Sequence, residues 1–328
     1  MSKNITKIGV MTSGGDAPGM NAAIRSVVRT CAYHDIDCVG IFRGYDGIIE
    51  GLFKPMDARS VKGIINKGGT ILKSARSDDF RTKAGRKKAY DCLVKEGVEA
   101  LIVIGGDGTF TGALVFNEEF NFPVIGIPGT IDNDIFGTTH TLGFDTALNT
   151  VVEAIDKIRD TASSHNRLFF IEVMGRDVGH IALNAGVGAG AEEVLIPEED
   201  LGLDRLLESL NRSKQSGKSS SIVVVAEGDK IGKNVFELKD YVDEHMSYYD
   251  VRVSVLGHMQ RGGSPSCFDR VLASRMGVKA VETLMQGKTN YMVGLLNNLM
   301  ELTPLKKAIK GKSKINKELL RVSDIMTT

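Results

Sequence analysis

Residues 7–23 read KIGVMTSGGDAPGMNAA: an apolar run, a glycine-rich loop and the start of an amphipathic segment. Gly14 and Gly19 have the G-x-x-x-x-G spacing of a nucleotide-binding P-loop, but Met20 and Asn21 stand where that motif has Lys and Ser or Thr. The loop therefore lacks the cation that neutralises terminal phosphates in P-loop proteins. Either the segment is an ordinary tight turn, or the helix that begins near Asn21 binds phosphate at its N-terminus, with further positive charge supplied from elsewhere.

The strand, loop and helix of this stretch begin an alternating pattern. Apolar runs predict strands at 7–11, 38–42, 100–104, 124–128, 167–174, 193–197, 221–227 and 251–257. Apolar residues at spacings of three and four predict helices at 21–34, 82–95, 145–163, 204–216 and 267–286. Such alternation is typical of an α/β fold in which mainly parallel sheets are sandwiched by helices. One strand-rich series before about residue 143 and another after it predict two similar Rossmann-like lobes.

Length and composition narrow the class of protein. A chain of 328 residues exceeds the size at which single cores stop growing, which favours two lobes. The 41 Lys and Arg residues balance the 41 Asp and Glu residues, which argues against a nucleic-acid or basic partner. No apolar run approaches the roughly 18 residues of a membrane span, and the polar start MSKNITK lacks a signal-peptide core, so we expect a soluble, cytoplasmic protein. The cysteines lack metal-site spacing and are expected to be free buried thiols: Cys31, Cys38, Cys92 and Cys267.

Polar, glycine-rich loops follow four of the predicted strands. They are TSGGDAPGMN at 12–21, GGDGTF at 105–110, GTIDND at 129–134 and GRDVGH at 175–180. Because ligands of open α/β sheets gather beyond the carboxyl ends of the strands, we expect these loops to share one cleft.

Asp107 is a lone carboxylate among the glycines of the second loop. Such a site suits Mg²⁺, which keeps several waters and takes one or two carboxylates plus phosphate oxygens. The alternative interpretation is that Asp107 caps the helix that follows.

Asp132 and Asp134 lie two residues apart in the third loop. A carboxylate beside a metal-bound phosphate can accept the proton of an attacking hydroxyl, an effect worth roughly 10²–10⁴-fold in rate. An Asx-turn is the alternative, because Asp and Asn favour such turns. Together with Asp107 and the glycines, the pair favours a catalytic site.

Isolated arginines are the candidate phosphate ligands, because a guanidinium offers planar, bidentate donors. They are Arg76, Arg167, Arg176, Arg252 and Arg261, each of which taken alone is typical of a solvated surface. His258 and Arg261, three residues apart in a glycine-rich segment, form the best pair for a terminal phosphate ester.

These motifs together resemble the bacterial ATP-dependent 6-phosphofructokinases. The resemblance runs in order from about Lys7 to about Asn297, through TSGGDAPGMNAAIR, GGTxLxSAR, VIGGDGT, GIPGTIDND, GFDTAL, DTASSHNR, VMGR and VLGHMQRGGSP. It implies the phosphofructokinase fold and transfer of the γ-phosphoryl group of ATP, with Mg²⁺, to the 1-hydroxyl of fructose 6-phosphate in glycolysis. It also implies an ATP-binding lobe at 1–143 plus about 258–309, and a fructose 6-phosphate-binding lobe at 144–257 plus about 310–328.

The resemblance assigns roles to individual residues. Asp132 matches the general base and Asp107 the metal carboxylate, while Thr130 and Asp134 line the same loop. Arg176 would stabilise the transferring phosphoryl group, and the backbone of Gly15 would meet the γ-phosphate. The residues around the nucleotide would be Gly15, Tyr45, Arg76, Ser77, Gly106, Asp107, Gly108, Thr109 and Gly112.

The sugar site follows from the same resemblance. Thr130, Ile131, Asp132, Met174, Gly175, Arg176 and Glu227 would meet the sugar, and Arg167, Arg252, His258 and Arg261 its 6-phosphate. In the family, the residues that match Arg167 and Arg252 come from a neighbouring subunit. A homotetramer is therefore implied.

Two glycines discriminate between phosphoryl donors. Similar enzymes that use pyrophosphate carry Asp where Gly108 stands and Lys where Gly129 stands, and the bulkier acid obstructs the nucleotide α-phosphate. Both positions are glycine in this chain, which favours ATP over pyrophosphate.

The effector site departs from the family pattern. Arg25, Arg29, Arg59, Arg159, Gly190, Glu192 and Lys218 are the candidates for binding ADP and phosphoenolpyruvate. Ala58 stands where an arginine is usual, with Arg59 one residue along, and Ser219 and Ser220 replace cationic or imidazole groups. Because a polyanion binds less well when cations are lost, we expect altered or weak effector control.

Two other classes of protein stay open on the residues alone. A diacylglycerol- or NAD-kinase-like enzyme also contains GGDGT, but it does not need Arg167, Met174, Glu227, His258 and Arg261. A two-lobed sugar-binding or regulatory protein without catalysis would be expected to have lost Asp107 or Asp132, and both are present.

Overall fold

The computed structural model describes residues 5–162, 167–199, 202–216, 221–230 and 234–326. The chain folds into two compact units. The first contains Met1–Ile131, Ile135–Thr146 and Arg261–Ser313, and the second contains Asp132–Asp134, Ala147–Gln260 and Lys314–Thr328. The chain therefore passes between the units several times, and the unit that binds each substrate stays a prediction.

The elements alternate along the chain. The strands found in the described ranges are β1 (Lys7–Thr12), β2 (Asp37–Ile41), β3 (Phe53–Met56), β4 (Ala100–Gly105), β5 (Val124–Pro128), β6 (Arg167–Val173), β7 (Glu193–Leu195), β8 (Ser221–Ala226), β9 (Asp250–Val255), β10 (Tyr291–Leu296) and β11 (Leu299–Pro304). The α-helices found there are α1 (Met20–Tyr33), α2 (Gly44–Glu50), α3 (Lys83–Glu96), α4 (Asp107–Phe120), α5 (Phe144–Ala162), α6 (His180–Ala189), α7 (Gly202–Gln215), α8 (Val235–His245), α9 (Cys267–Met285), α10 (Leu305–Lys310) and α11 (Lys317–Met326).

The sheet of the first unit has seven strands in the order β11-β10-β5-β4-β1-β2-β3. The pairings among β10, β5, β4, β1 and β2 are parallel, and only the edge strands β3 and β11 run antiparallel to their neighbours. Every residue of β4, ALIVIG, is buried. A central parallel strand is covered by helices on both faces, which is why its sequence is continuously apolar.

The second unit has a four-stranded, fully parallel sheet in the order β7-β8-β6-β9. Its core includes Leu168, Phe170, Val223 and Val225, which extend from one face of β6 and β8. The predicted α/β fold with mainly parallel sheets is therefore confirmed.

Within the described ranges, the predicted bounds of eight strands and five helices lie within two residues of the observed ones. The helices whose bounds were not predicted are α2, α4, α6, α8, α10 and α11. It missed the edge strands β3 and β11, which run antiparallel to their neighbours, and β10, which pairs in parallel with β5. Asn297 and Asn298 join β10 to β11 with left-handed φ angles of 48° and 61°. Two consecutive residues with positive φ make the turn that two-residue hairpins prefer, and Asn tolerates that conformation.

Helices α1 and α9 pack closely in the first unit. Ser26 Oγ of α1 donates to the Ser274 carbonyl of α9 at 2.6 Å. A Cβ atom added at Gly277 would lie 2.5 Å from Ser26 Cβ, so glycine is what lets the two backbones approach. The segment 264–287, which contains α9, therefore belongs to the same unit as the first glycine-rich loop.

The cysteines are free thiols in the structure. Cys31 and Cys38 are buried as predicted, but Cys92 is half-buried and Cys267 is exposed, so the predicted burial is wrong for Cys267. Cys267 is the first residue of α9, at a helix end that faces solvent. Within the described ranges, every helix falls short of the combined length and apolarity that a bilayer crossing requires.

Candidate active site

Three of the predicted loops meet at one edge of the first sheet. β5, β4 and β1 are parallel neighbours, so their carboxyl ends lie together. Ser13 N donates to the Ile104 carbonyl at 3.0 Å, Thr109 Oγ1 donates to the Ser13 carbonyl at 3.1 Å, and Gly129 N donates to the Gly105 carbonyl at 3.0 Å. The loops after these strands are therefore hydrogen-bonded to one another. The fourth predicted loop, 175–180, follows β6 in the second unit.

The first loop ends where α1 begins at Met20, with Gly19 as the N-cap at a φ of 105°. No acidic residue lies in the first turn of α1, so the partial positive charge of its N-terminus is not neutralised locally. Gly15 faces a guanidinium: a Cβ there would lie 2.8 Å from Arg261 Nη1. The same Nη1 lies 3.5 Å from the Asp16 carbonyl. Arg261, which the sequence assigns to the sugar phosphate, thus brings positive charge to the loop that lacks a P-loop lysine.

Asp107 opens α4 at the carboxyl end of β4. The N-cap of that helix is Gly106, and Asp107 Oδ1 accepts the N–H of Gly108 at 2.8 Å. The side chain is exposed. Among the residues that the structure describes, no group of three or more His, Cys, Asp or Glu side chains is arranged to hold a metal ion. A single exposed carboxylate of this kind fits Mg²⁺, which takes its remaining ligands from phosphate and water.

The other predicted nucleotide residues divide into exposed and buried ones. Arg76 is exposed. Tyr45 is only 6% exposed: its hydroxyl donates to the Thr109 carbonyl at 2.5 Å, and its ring stacks on Phe80 with centroids 4.0 Å apart. Burial raises the pKa of Tyr45 well above its ordinary value. A Cβ at Gly112 would lie 3.0 Å from the Tyr45 ring, so Gly112 makes room for that ring.

The loop that contains Asp132 is buried, and hydrogen bonds from Thr141 and Leu142 hold the backbone just before Asp132 in place. Thr130, Ile131, Asp132 and Asn133 are at most 8% exposed. Thr141 Oγ1 donates to the Thr130 carbonyl at 2.5 Å, and Leu142 N donates to the Pro128 carbonyl at 2.9 Å. Asn133 adopts a left-handed φ of 53°, so the backbone turns sharply between the two acids.

In the second unit, Glu227 organises the loop after β6. Its Oε1 accepts the backbone N–H of Arg176 at 2.6 Å and that of Gly175 at 3.3 Å. Arg176 has a left-handed φ of 58°. Glu172, the second-last residue of β6, lies nearby. Burial, together with the negative charge of Glu227, raises the pKa of Glu172. Glu227 therefore fixes the backbone of Gly175 and Arg176, the candidates for contact with sugar and phosphoryl group.

Gln260 is a residue of this region that the sequence did not indicate. It is fully buried; its Oε1 accepts the N–H of Met174 at 3.2 Å and its Nε2 donates to the Gly257 carbonyl at 3.0 Å. It joins the loop after β6 to the segment that carries His258. The HMQRGG motif contains Gln260, but an amide has no charge or periodicity that marks it as a positioning group.

Arg167 and Arg252 lie together, because β6 and β9 are adjacent. Arg167 Nε lies 3.3 Å and Arg252 Nη2 2.9 Å from the same Asp250 Oδ2. The two guanidinium groups, with Arg252 the stronger influence, hold the pKa of Asp250 below its usual value. Arg167 is the first residue of β6 and Met174 follows its last, so at about 3.3 Å per residue they lie about 20 Å apart along the strand. One chain therefore does not bring these arginines to the loop of Met174 and Arg176.

The candidate effector residues form two groups. Arg25 and Arg29 line a cavity of about 360 Å³ beside α1 and α9 in the first unit. In the second unit, Arg159 Nη2 donates to the carbonyls of Ala189 and Gly190 at 2.7 and 2.8 Å, and its Nη1 lies 3.9 Å from Glu192 Oε1. Arg59 is exposed after β3, and its N–H donates to Asp57 Oδ1 at 3.0 Å. Lys218, Ser219 and Ser220 lie outside the described residues.

The fold and its strand-end loops define an α/β phosphotransferase. Residues 7–284 match the family model described as Phosphofructokinase. The chain is 54% identical over 320 residues to ATP-dependent 6-phosphofructokinase 1 of Thermus thermophilus, covering 98% of this chain and 99% of that protein. It is 50% identical over 315 residues to ATP-dependent 6-phosphofructokinase 2 of Bacteroides thetaiotaomicron, covering 96% of each. The chain belongs to the phosphofructokinase family.

The solved structure of phosphofructokinase from Saccharomyces cerevisiae has the same fold. It matches with a TM-score of 0.89 at 38% identity, over 93% of this chain. This chain covers 45% of the yeast chain, so it spans less than half of that chain's length.

Proposed function

We propose that the enzyme transfers the γ-phosphoryl group of ATP to the 1-hydroxyl of fructose 6-phosphate, giving fructose 1,6-bisphosphate and ADP. The observation that carries the proposal is the hydrogen-bonded set of loops after β1, β4 and β5. It joins a helix N-terminus, the exposed carboxylate of Asp107 and the segment 129–131, which leads to Asp132, at one sheet edge. The names of the relatives support ATP as the donor and 6-phosphofructokinase as the activity.

The ATP phosphates would lie against the amides of the first loop, at the N-terminus of α1. Arg261, the candidate ligand of the 6-phosphate, lies beside Gly15 and would also bring positive charge to this loop, which lacks the P-loop lysine. Asp107 would hold Mg²⁺, which when bound neutralises charge on the phosphate oxygens. Glycine suits position 15 because any side chain there would meet the guanidinium of Arg261, and the backbone N–H of Gly15 would bind the γ-phosphate.

Asp132 would act as the general base. In the transfer, a bond forms between the sugar O1 and the γ-phosphorus, and the bond from that phosphorus to the β,γ-bridging oxygen breaks. The proton of the 1-hydroxyl goes to the Asp132 carboxylate, and ADP leaves with the electron pair of the broken bond. Arg176, whose backbone is fixed by Glu227, would stabilise negative charge on the transferring group.

The donor is proposed to be ATP rather than pyrophosphate because of the space at Gly108. No atom lies within 4 Å of a Cβ built there, so an Asp side chain would fit without clash and would occupy room that glycine leaves for a nucleotide. Gly129 is more enclosed, with Met20 Cε 3.1 Å from its built Cβ.

The 6-phosphate site is proposed to be completed by a second copy of the chain. Arg167 lies at the amino end of β6, about 20 Å from Met174, and Arg252 lies opposite Phe169, about 16 Å along the strand from Met174. Both are too far from Met174 to share one phosphate with His258 in the same chain. A homotetramer in which neighbouring subunits donate these arginines accounts for that separation. ADP and phosphoenolpyruvate are proposed as effectors of weakened influence, since Ala58 contributes no cation.

A coupled assay tests the proposal. Purified enzyme is offered fructose 6-phosphate with ATP or with pyrophosphate, with and without Mg²⁺, ADP and phosphoenolpyruvate. ATP- and Mg²⁺-dependent formation of fructose 1,6-bisphosphate is the expected result. Turnover with pyrophosphate alone, or phosphorylation of NAD or diacylglycerol instead of the sugar, would overturn it.

A further inference from the structure

Asp269 of α9 is a buried carboxylate aimed at another helix. It is 0% exposed. Its Oδ1 accepts the N–H of Gly143 at 2.9 Å, and its Oδ2 accepts the N–H of Thr146 at 2.9 Å and the Thr146 hydroxyl at 2.5 Å. These donors belong to the residues at and just before the first turn of α5. A residue 123 positions away in sequence thus anchors the start of α5.

The anchoring is reciprocal. Ser266, the N-cap of α9, accepts the N–H of Asp269 at 3.2 Å and donates its hydroxyl to Asp145 Oδ2 at 2.5 Å. The N–H of Ser266 donates to Thr146 Oγ1 at 2.9 Å. The first turns of two helices that are distant in sequence therefore satisfy each other's free amides.

The anchored segment continues directly into the support of the catalytic loop. Thr141 and Leu142 precede Gly143, and they bond to the carbonyls of Thr130 and Pro128 at 2.5 and 2.9 Å. Thr141 is itself 0% exposed. Thr130 precedes Asp132 by two residues, so an unbroken series of bonds runs from Asp269 to the backbone beside the proposed base.

Helix capping alone does not require a buried charge at this position. Ser, Thr and Asn cap helices without the desolvation cost of a carboxylate. That cost is visible in the pKa of Asp269: burial raises it to about 6, with a smaller contribution from the negative charge of Asp145, although three hydrogen-bond donors lower it. An ionised Asp accepts three bonds from two directions at once, which fixes the segment more rigidly than a hydroxyl can.

We propose that Asp269 is a positioning residue for phosphoryl transfer: by anchoring Gly143 and Thr146, and through Thr141, it sets the backbone of Thr130 and so the direction of Asp132. The inference rests on the proposed role of Asp132 as general base. Asp269 touches neither substrate, so its effect is on kcat rather than on binding.

The test compares Asp269→Asn, Thr141→Val, Thr141→Ser and the double variant D269N/T141V. A small misplacement of a catalytic group costs up to about 100-fold in rate, so we expect kcat to fall by about 10- to 100-fold in D269N and in T141V. KM for ATP and for fructose 6-phosphate should change little, and T141S, which keeps the hydroxyl, should retain the kcat of the unmodified enzyme. Because both residues act through one series of bonds, the double variant should be no slower than the slower single variant.

Ser26→Ala is the matched control. It also removes a buried hydrogen bond to α9, at 2.6 Å, but not one that leads to Thr130. Its kcat should match that of the unmodified enzyme, and urea unfolding of all variants reports any general loss of stability.

Several outcomes would overturn the positioning role. The first is a normal kcat in D269N. The second is a decrease in kcat in the double variant that equals the product of the decreases in the two single variants. The third is an equal kcat for T141V and T141S. The comparison of the two Thr141 variants decides the matter even if D269N does not fold. Asp132→Ser, measured alongside, separates this failure from that of the proposed function: if D132S is inactive while D269N is normal, only the positioning role is lost.

Discussion

The two units present their functional side chains differently. In the first unit, the loops after β1, β4 and β5 bond to one another, so the residues of its candidate phosphate site lie together in one chain. In the second unit, Met174, Arg176 and Glu227 lie at one end of the sheet, while Arg167 and Arg252 share Asp250 at the other end. We therefore expect the donor side to depend on local loop packing, and we propose that the acceptor side depends on assembly with another copy.

Asp132 lies where the chain passes from the first unit into the second, and replacing it has the largest expected effect. Asp132→Ser removes the proposed base, so kcat should fall by roughly 10²–10⁴-fold. KM for both substrates should change much less, because the loop backbone is held by Thr141 and Leu142 rather than by the Asp132 side chain. Steady-state kinetics measure both quantities. An unchanged kcat would show that the chain does not use Asp132 in catalysis.

Replacing Arg252 tests the shared side. Hydrogen bonds to charged groups contribute about 1.5–3 kcal/mol, so Arg252→Ala should raise KM for fructose 6-phosphate by about 10- to 100-fold. His258→Ala should act in the same direction. If the two residues serve one site from different subunits, refolding the two variants together should restore sites that contain an intact Arg252 from one chain and an intact His258 from the other. Mixtures no more active than the separate variants would contradict the shared site.

The sequence predicts features that depend on neighbouring residues, and it misses features that depend on partners distant along the chain. Buried parallel strands such as β4 are continuously apolar, and catalytic residues follow strand ends, so these features could be predicted locally. The pairing that brings Arg167 beside Arg252 depends on the register between β6 and β9, which no local pattern encodes. Gln260 and Asp269 were missed for a related reason, since their partners lie 86 and more than 120 residues away. Tyr45 was chosen for the nucleotide, yet its hydroxyl is committed to the Thr109 carbonyl.

Gly108→Asp changes the candidate nucleotide site of the first unit without changing the packing around it. No atom lies within 4 Å of the added Cβ, so the fold should be kept. The added carboxylate would repel and obstruct the nucleotide phosphates, so KM for ATP should rise by about tenfold, as expected for 1.4 kcal/mol. KM for fructose 6-phosphate should stay the same. Gly112→Ala is the contrasting variant, because its Cβ would lie 3.0 Å from the Tyr45 ring and should lower stability instead. An unchanged KM for ATP in G108D would remove the argument from space at Gly108.

Asp269 of the first unit and Asp250 of the second should contribute to the pH dependence of stability with opposite signs. Burial raises the folded-state pKa of Asp269 from 3.8 to about 6, so its contribution to stability is fully present below its unfolded pKa and is lost as the pH rises through about 6. At 1.36 kcal/mol per pKa unit, the loss is about 3 kcal/mol between about pH 4 and pH 7. Asp250 has the opposite sign: Arg252 and Arg167 lower its pKa, so its contribution is present above its unfolded pKa and is lost as the pH falls through the folded value.

Urea unfolding from below the lowered pKa of Asp250 up to about pH 7 measures the difference between the two acids. In D269N, the free energy of unfolding should no longer fall by the contribution of Asp269 as the pH rises. In Asp250→Asn, a smaller contribution of opposite sign should be lost, because the side chain of Asp250 is exposed and its ion pairs are screened. Parallel pH profiles for the unmodified enzyme and D269N would show that the pKa of Asp269 is the same in the folded and the unfolded protein. The hydrogen bonds from Gly143 and Thr146 would then fully offset the cost of burying the Asp269 carboxylate.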